Sequence, residues 1–402
     1  MAKNTVQKDH FKNLVESAKL DCGENLGKAG ALAGERVEDL LTEGKLQAED
    51  ISLKALFDAT VDQETIDTND AAQVAEGINK SMFPVISSKI INSQIIAAYN
   101  LAEGDVSKLY RTIPATRTDE ETIVGFASGN YTPLLRPEGM SYEETSFGEK
   151  YWNVKMADFG RMISVTRETI FEDRTGEVME RARDIGEAAG QHKAKMVIQT
   201  LECLPRTAFN EVTGASNAAI YKGSAKQQTT FYSNTHAATI DSAGVNDNLS
   251  TLALGSASAA LNAVKGAWQQ MQEMVDEAGQ KISIPGPYYM VVDPSTYVDV
   301  WNAFNTPSWM PTGGEGQGPT GSPLGAMAPI SIIQSLWLTA GTWYFGRPDQ
   351  QLRWVEVFPA ATASQGTNAE LAFTNQIVAR YRFNYHGGIG NTDYRYVIGK
   401  IS

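Results

Sequence analysis

The sequence contains little cysteine, no long apolar run and no cluster of basic residues, and each absence excludes a class of protein. Only Cys22 and Cys203 occur among 402 residues, outside any CxxC pair, so neither a disulfide framework nor a zinc site is expected. No stretch of about 18 apolar residues is present, which predicts that the chain has no membrane span. Its start, MAKNTVQKDHFKNLVE, lacks an apolar core behind the basic residues, so we expect no secretory signal and synthesis in the cytoplasm.

Catalytic motifs are equally scarce. The sequence has no HExxH pair, no GxSxG elbow and no GxxxxGKS/T loop, and its histidines are scattered at His10, His192, His236 and His386. Residues 316–321 match GxGxxG, but a dinucleotide site needs a strand before this motif and a helix after it. The flanking MPTGGE and SPLGAM supply neither. We therefore interpret segment 313–325 as a loop, keep a nucleotide-binding enzyme as an alternative, and expect no catalytic residue, cofactor or metal ion.

The net charge of −13 is distributed unevenly along the chain. Residues 1–70 contain 15 acidic and 8 basic residues, and residues 119–150 contain 7 and 2. A protein that grips nucleic acid needs clustered Lys and Arg to displace counterions, and no such cluster occurs here. Acidic segments instead keep a crowded assembly soluble or repel DNA from a surface to which it must not adhere.

The N-terminal part has a distinct composition. Residues 1–83 contain no Pro, Trp or Tyr and predict short polar helices, of which VEDLL and LKALF are the most apolar turns. We expect such a segment to bury little on its own. Two interpretations remain open, a scaffold-like extension that guides assembly and a flexible acidic tail.

An excursion and a long helix follow. Residues 115–160 contain several Gly and Pro residues and are predicted to form two strands joined by a loop. In the second, returning strand the side chains alternate between two faces, with Trp152, Val154 and Met156 on one of them. Thr169 and Glu172 predict a capping box that opens a helix over 170–204. Its predicted buried stripe consists of Val178, Ala182, Ile185, Ala189 and Met196.

The C-terminal half mixes helices and strands without strict alternation, which predicts an α+β fold. An apolar stripe from Leu261 to Val275 predicts a core helix that Gly279 ends. The strand YYMVV then precedes a helix capped by Asp293, with Tyr297, Val300, Trp301 and Phe304 on its apolar side. Segment 386–390, HGGIG, is predicted to be a hairpin turn between two aromatic strands.

The order of these parts resembles a tailed-bacteriophage major capsid protein of the Hong Kong 97 type. Residues 137–173 resemble its extended loop, return strand and spine helix, 288–301 resemble its axial domain, and 377–401 resemble its final peripheral hairpin. The resemblance covers roughly residues 80–402. It implies an acidic helical N-terminal extension at 1–75, an N-arm at 76–114, an extended loop at 115–160, a peripheral domain at 161–245 and 366–402 with spine helix 170–204, and an axial domain at 246–365.

The resemblance also implies a function. Copies of the chain would form pentamers and hexamers of an icosahedral head that encloses double-stranded DNA without sequence-specific binding. Scaffolding protein, portal and decoration protein would be partners, no membrane would be involved, and assembly in the host cytoplasm would end in the virion. An encapsulin-like compartment shell of the same fold is the other alternative.

Charged residues of the loop and of the last long strand are the candidate subunit contacts. Arg380 and Arg382 lie on one face of their strand, where they would reach the acidic loop of a neighbour or form a solvated surface. The candidates are Arg136, Glu138, Glu143, Glu144, Glu149, Lys150, Arg380 and Arg382.

Overall fold

The computed structural model of the protein describes residues 2–22, 26–46, 51–61, 70–127, 148–203, 231–234, 236–237, 244–276, 279–305, 329–366 and 374–401. The helices within these ranges are α1 Ala2–Cys22, α2 Leu26–Thr42, α3 Leu53–Thr60, α4 Ala71–Asn79, α5 Phe83–Glu103, α6 Arg167–Phe171, α7 Thr175–Leu201, α8 Ala257–Glu273, α9 Pro294–Asn305 and α10 Pro348–Gln351. The strands are β1 Tyr110–Pro114, β2 Glu120–Ala127, β3 Gly148–Lys155, β4 Ala157–Thr166, β5 His236–Ala237, β6 Gly244–Asn246, β7 Tyr288–Val292, β8 Ile330–Gln334, β9 Trp343–Gly346, β10 Leu352–Gly366, β11 Ile377–Asn391 and β12 Val397–Lys400. The predicted α+β class is confirmed.

The chain divides into two compact units. The first unit consists of residues 1–104, 158–193 and 358–386, and the second of residues 105–157, 194–357 and 387–402. The sequence analysis had grouped 194–245 and 387–402 with the spine helix, whereas their contacts group them with the second unit. The assignment of residues to an N-terminal extension, an N-arm, an extended loop, a peripheral domain and an axial domain stays a prediction.

In the first unit, the N-terminal helices pack on one another and on α5. Helix α1 contacts α2 and α3, and α2 contacts α5. Their buried side chains include Phe11, Val15, Ala18, Ala29, Ala33, Val37, Leu53, Leu56 and Phe57. The described helices therefore bury apolar side chains against one another and against α5, which disfavours a flexible tail.

The predicted spine helix is two helices. Thr166, not Thr169, caps α6, because its side chain accepts a hydrogen bond from the Thr169 backbone N–H. Glu172 ends α6, and Asp173 takes a left-handed φ of 54° that no helix interior tolerates. Helix α7 then has 27 residues and a length of about 40 Å, which is shorter than the predicted helix over 170–204.

Glycines form the contact between α7 and α5. A Cβ added to Gly190 would lie 2.5 Å from the Tyr99 carbonyl oxygen, and one added to Gly186 would clash with the Ile95 carbonyl oxygen. The two helices therefore approach each other too closely for any side chain at these positions. Ile185 and Ala189, which the sequence analysis placed at the centre of the buried stripe, are only half-buried at its edge.

The second unit contains a sheet of order β12-β9-β7-β8, in which β7 and β8 are parallel and β9 is antiparallel to β7. Helices α8 and α9 pack on it, with Val264, Met271 and Val300 in the shared core. Two expectations are wrong here. Helix α8 ends at Glu273, so Gly279, which has a φ of 77°, does not end it as predicted. Trp301, which was predicted on the apolar side of α9, is exposed.

Strand β11 continues through the glycines that were predicted to form a hairpin turn. It runs to Asn391 in a sheet of order β1-β10-β11-β4, whereas β12 belongs to the other sheet. A Cβ on Gly387 would lie 2.8 Å from the Trp354 ring, and one on Gly390 would lie 2.6 Å from Val154. These glycines therefore allow close packing rather than a turn, and the predicted final hairpin does not form.

We predict that Gly190→Ala destabilises the subunit by about 1 to 3 kcal/mol, because the added methyl group overpacks the contact with α5. Gly176→Ala is the matched control, since Gly176 is in the same helix and nothing lies within 4 Å of its added Cβ. We expect the control to be neutral or stabilising by up to about 1 kcal/mol. Denaturant unfolding of dissociated subunits measures both, and equal effects would contradict the role given to Gly190.

Candidate assembly surfaces

The predicted excursion is a β-hairpin in its described arms. Strands β2 and β3 pair antiparallel from Glu120 opposite Lys155 to Ala127 opposite Gly148. At the base, Val154 and Met156 are buried against Val355. The predicted inward face of the return strand is confirmed at these two positions.

The loop candidates fall at the far end of this hairpin. Glu149 and Lys150 lie in β3, opposite Phe126 and Gly125 of β2. Arg136, Glu138, Glu143 and Glu144 lie outside the described residues. The contacts of these six residues stay a prediction.

Strand β11 has the predicted two faces in the first unit. Ala379, Tyr381, Phe383 and Tyr385 are buried, whereas Arg382 is exposed and Arg380 is half-buried. The Arg380 Nε atom is buried without a hydrogen-bond partner among the described residues. A buried guanidinium N–H without an acceptor is costly. The contact of Arg380 with another chain stays a prediction.

The buried face of β11 is structural. The Tyr381 hydroxyl lies 2.8 Å from the Ser87 hydroxyl of α5, and burial raises the pKa of Tyr381 to about 12. The Tyr385 hydroxyl lies 3.0 Å from His192 Nδ1 of α7, and burial raises the pKa of Tyr385 as well. His192 therefore has a structural partner in β11.

A buried ion pair joins α5 to α7. Lys193 Nζ lies 3.2 Å from Glu103 Oε1, both side chains are 7% exposed, and the ammonium is 5.5 Å from the centre of the Tyr99 ring. Removing one partner of such a pair leaves an uncompensated buried charge. The pair therefore fixes how the two helices are aligned.

A buried carboxyl group in the second unit joins the end of α7 to the turn between β8 and β9. Glu202 Oε1 accepts hydrogen bonds from the Thr339 backbone N–H at 2.8 Å and from the Thr342 hydroxyl at 3.2 Å. Its Oε2 atom is buried without a partner in the part of the chain that is described. Burial raises the pKa of Glu202, although the hydrogen bonds from Thr339 and Thr342 oppose the increase.

The sequence analysis missed how the N-terminal segment is attached to the α6–α7 junction. Asp173 accepts a 2.7 Å hydrogen bond from the Ser52 hydroxyl, and the Leu53 N–H donates to the Thr175 hydroxyl at 2.8 Å. Lys54 Nζ donates to the Phe171 carbonyl at 2.9 Å. Ser52 before LKALF was a visible capping signal, but its partner lies about 120 residues away in sequence and could not be identified.

The described residues contain no group of three or more His, Cys, Asp or Glu side chains placed to hold a metal ion. None of the described helices has the length and apolarity that crossing a membrane requires. The Gly-rich segment 313–325 lies outside the described residues. His236 is stacked on Tyr394, and burial lowers the pKa of its imidazole, so it packs as a core residue.

Comparison with known proteins gives the family. A sequence model of the phage capsid protein family matches residues 152–398, from β3 to β12. The chain belongs to this family, and the prediction of a tailed-phage major capsid protein is confirmed. It is a major capsid protein whose copies form an icosahedral shell, and its place is the virion capsid. The encapsulin-like and enzyme alternatives are not favoured.

Solved structures that resemble the chain are also capsids or capsid-like particles. A virus-like particle from Pyrococcus furiosus is 11% identical with a TM-score of 0.45, and 78% of this chain and 99% of that chain are covered. The capsid of cyanophage P-SCSP1u is 10% identical with a TM-score of 0.44, covering 73% and 86%. The capsid of Ralstonia phage GP4 is 11% identical with a TM-score of 0.43, covering 73% and 86%. No curated protein matches the sequence.

We predict that Glu202→Gln removes a pH-dependent loss of stability. Because the pKa of Glu202 is raised in the folded chain, the folded state binds more protons, and stability falls as pH rises from the ordinary value of 4.5 through the raised pKa. Glutamine does not titrate, so the free energy of unfolding of the variant should increase relative to wild type over this pH range.

Denaturant unfolding at a series of pH values measures the difference. Glu187→Gln on the exposed face of α7 is the control for replacing a carboxylate by an amide in the same region of the chain. A difference between Glu202→Gln and wild type that does not change with pH would contradict the prediction.

Proposed function

We propose that the shell is built from pentamers and hexamers, encloses double-stranded DNA and involves no enzymatic step by this chain. The family match over residues 152–398 carries this proposal, because it includes α7 and the strands from β4 to β11. Negative-stain microscopy of the protein expressed alone is the test. Closed shells are expected, and unassembled subunits under all conditions would contradict the proposal.

We propose that the β2–β3 hairpin lies over a neighbouring subunit. Its base is held by Val154 and Met156, which are the buried side chains of the return arm among those described. The tip segment 128–147 contains four of the candidate charged residues and few apolar anchors. A loop that adds little to the core of its own subunit is suited to contact another chain.

The outward face of β11 is the proposed receiving surface. Arg382 is exposed, and the half-buried Arg380 has an Nε atom that lacks an acceptor among the described residues. The segment 119–150 contains 7 acidic residues and 2 basic ones. Charges placed on such an overlap set the register between neighbours more than they add affinity.

Replacing residues 128–147 by an Asn-Gly turn should leave a folded subunit that no longer forms closed shells. The paired residues Ala127 and Gly148 are then joined by a two-residue turn that suits an antiparallel hairpin. Circular dichroism checks the fold, and size exclusion with microscopy checks assembly. Normal shells from this variant would remove the role assigned to the loop.

Arg382→Glu tests the receiving surface in the same assay. It should reduce shell formation without changing the unfolding midpoint, because Arg382 is exposed. Arg181→Glu is the matched control, since Arg181 is also exposed and pairs with Glu177 of its own helix among the described residues. Equal losses from both variants would show an effect of net charge and contradict a specific contact.

We propose that the N-terminal helices direct assembly as a docked part of the subunit. Their attachment to the α6–α7 junction through Ser52, Asp173 and Thr175 supports this, as does the net acidity of residues 1–70. Scaffolding protein, portal and decoration proteins are further proposed partners. Assembly is proposed to take place in the host cytoplasm.

Neutralising the acidic surface of α2 and of Glu43, which directly follows it, tests this role without unfolding the docked helices. The variant Glu35→Gln, Asp39→Asn, Glu43→Gln changes exposed side chains only and should give irregular particles from folded subunits. The same charge change on exposed α7 residues, Glu180→Gln, Asp184→Asn and Glu187→Gln, is the control and should give uniform shells. Uniform shells from both variants would show that the acidic N-terminal surface is passive.

A further inference from the structure

Two arginine side chains lie side by side in the second unit. Arg111 of β1 is paired in register with Arg353 of β10, and paired residues of parallel strands present their side chains on the same face of the sheet. Burial lowers the pKa of the Arg353 guanidinium, and the positive charge of Arg111 lowers it further. Like charges at directly opposed strand positions are unfavourable in an isolated subunit. We name Arg111 and Arg353 the arginine pair.

No carboxylate among the described residues forms an ion pair with either of these arginines. Arg111 is exposed, and Arg353 donates a 2.6 Å hydrogen bond to the Asp349 backbone carbonyl. The Asp349 carboxylate opposes the decrease in the Arg353 pKa, but it accepts a 2.8 Å hydrogen bond from Arg347. Within the described part of the chain, the guanidinium groups of the arginine pair can therefore still bind a carboxylate, which suits their planar geometry.

Two carboxylates on α2 in the first unit form the opposite arrangement. Glu35 and Asp39 are exposed and four residues apart, so they are neighbours on one face of the helix, about 6 Å from each other. Like charges at this spacing repel each other. Arg36, the adjacent cation in the sequence, is paired with Asp21 of α1, and neither carboxylate forms an ion pair among the described residues. We name Glu35 and Asp39 the carboxylate pair.

We propose that the arginine pair of one copy binds the carboxylate pair of a neighbouring copy. Neighbouring strands are about 4.8 Å apart and neighbouring turns of one helix face about 6 Å apart, so two guanidinium groups can face two carboxylates. Binding removes both repulsions at once, and charges at such a contact set the register between partners. This inference rests on the proposed role of the N-terminal helices in assembly and names the surface that they contact.

The surroundings of the arginine pair favour carboxylates over DNA. Lys108, three residues before Arg111, is paired with Asp105, and Arg347 is paired with Asp349. A DNA duplex presents a continuous row of phosphates and is held by clustered Lys and Arg that displace its counterions. Two arginines beside cations that already have carboxylate partners instead fit an acidic surface of limited size, such as two side chains of a helix.

A zero-length crosslink tests the contact in the full-length chain. Arg111→Lys keeps the positive charge and supplies an amine, which a carbodiimide couples to a carboxylate in direct contact. Shells are assembled from equal parts of light and heavy-isotope-labelled Arg111→Lys subunits, treated with carbodiimide and digested. We expect peptides that link position 111 of one label to Glu35 or Asp39 of the other. Arg183→Lys, on the exposed face of α7, is the control and should give no link from position 183 to either carboxylate.

Three results of this experiment would overturn the inference. The first is the absence of a link from position 111 to either carboxylate in assembled shells. The second is a link only between peptides of equal label, which would place the contact within one copy. The third is an equally abundant link from position 183 in the control, which would show that the carboxylate pair reacts with any exposed amine.

A charge exchange gives an independent test. Arg111→Glu should reduce the sedimenting shell fraction without lowering the unfolding midpoint of dissociated subunits, because it replaces repulsion of Arg353 by attraction. Adding Glu35→Lys or Asp39→Lys should restore shells, and the addition that succeeds shows which carboxylate faces Arg111. Unchanged shells from Arg111→Glu, or failure of both additions, overturns the pairing. Normal shells of Arg111→Glu that package less DNA would assign the arginine pair to DNA instead.

Failure of the proposed function would give a different result. Uniform shells from the variant Glu35→Gln, Asp39→Asn, Glu43→Gln would contradict the role of the acidic N-terminal surface itself. Irregular particles from that variant, combined with no link from position 111, would leave this role in place. That combination would contradict only the arginine pair as the surface that the N-terminal helices contact.

Discussion

The close approach of α5 and α7 is the constraint on which the first unit depends. Gly186 and Gly190 leave no space for a side chain against the backbone of α5. The short distance between the helices allows Lys193 to reach Glu103 in a buried ion pair. The same α7 surface orients His192 toward Tyr385 of β11. Since side chains of a strand alternate, anchoring one face of β11 also fixes the position of the arginines on the other.

The features that the sequence predicted correctly depend on local patterns. Strand β7 follows from YYMVV, helix α9 follows from Asp293 and Pro294, and the two faces of β11 follow from alternation. The two arms of the hairpin were recognisable from glycines, prolines and the alternating return strand. The class of capsid protein could be predicted from the order of these parts. Of the eight candidate contact residues, Arg382 is shown to be exposed.

The features that the sequence did not predict depend on partners distant in the chain. Gly387 and Gly390 look like turn residues until the neighbouring Trp354 and Val154 are known to occupy the space of a side chain. Likewise, the helix break at Asp173 becomes understandable only when Ser52 donates to its carboxylate. Hydrophobic periodicity assigned Ile185 to the buried stripe because it follows large apolar side chains. The closest contact between the two helices is instead formed by glycines, which such a pattern does not detect. Tertiary packing therefore decided each of these positions.

The parallel pairing of β1 with β10 has a consequence for when the subunit becomes complete. Tyr110 pairs with Leu352, and the two positions are about 240 residues apart in sequence. Pairings of such long range form slowly, and during synthesis the strand β1 leaves the ribosome long before its partner exists. Until then, β1 has an unpaired edge that could bind the wrong strand. A newly made chain thus acquires its finished surface only near the end of translation, and growth of the shell must draw on complete chains.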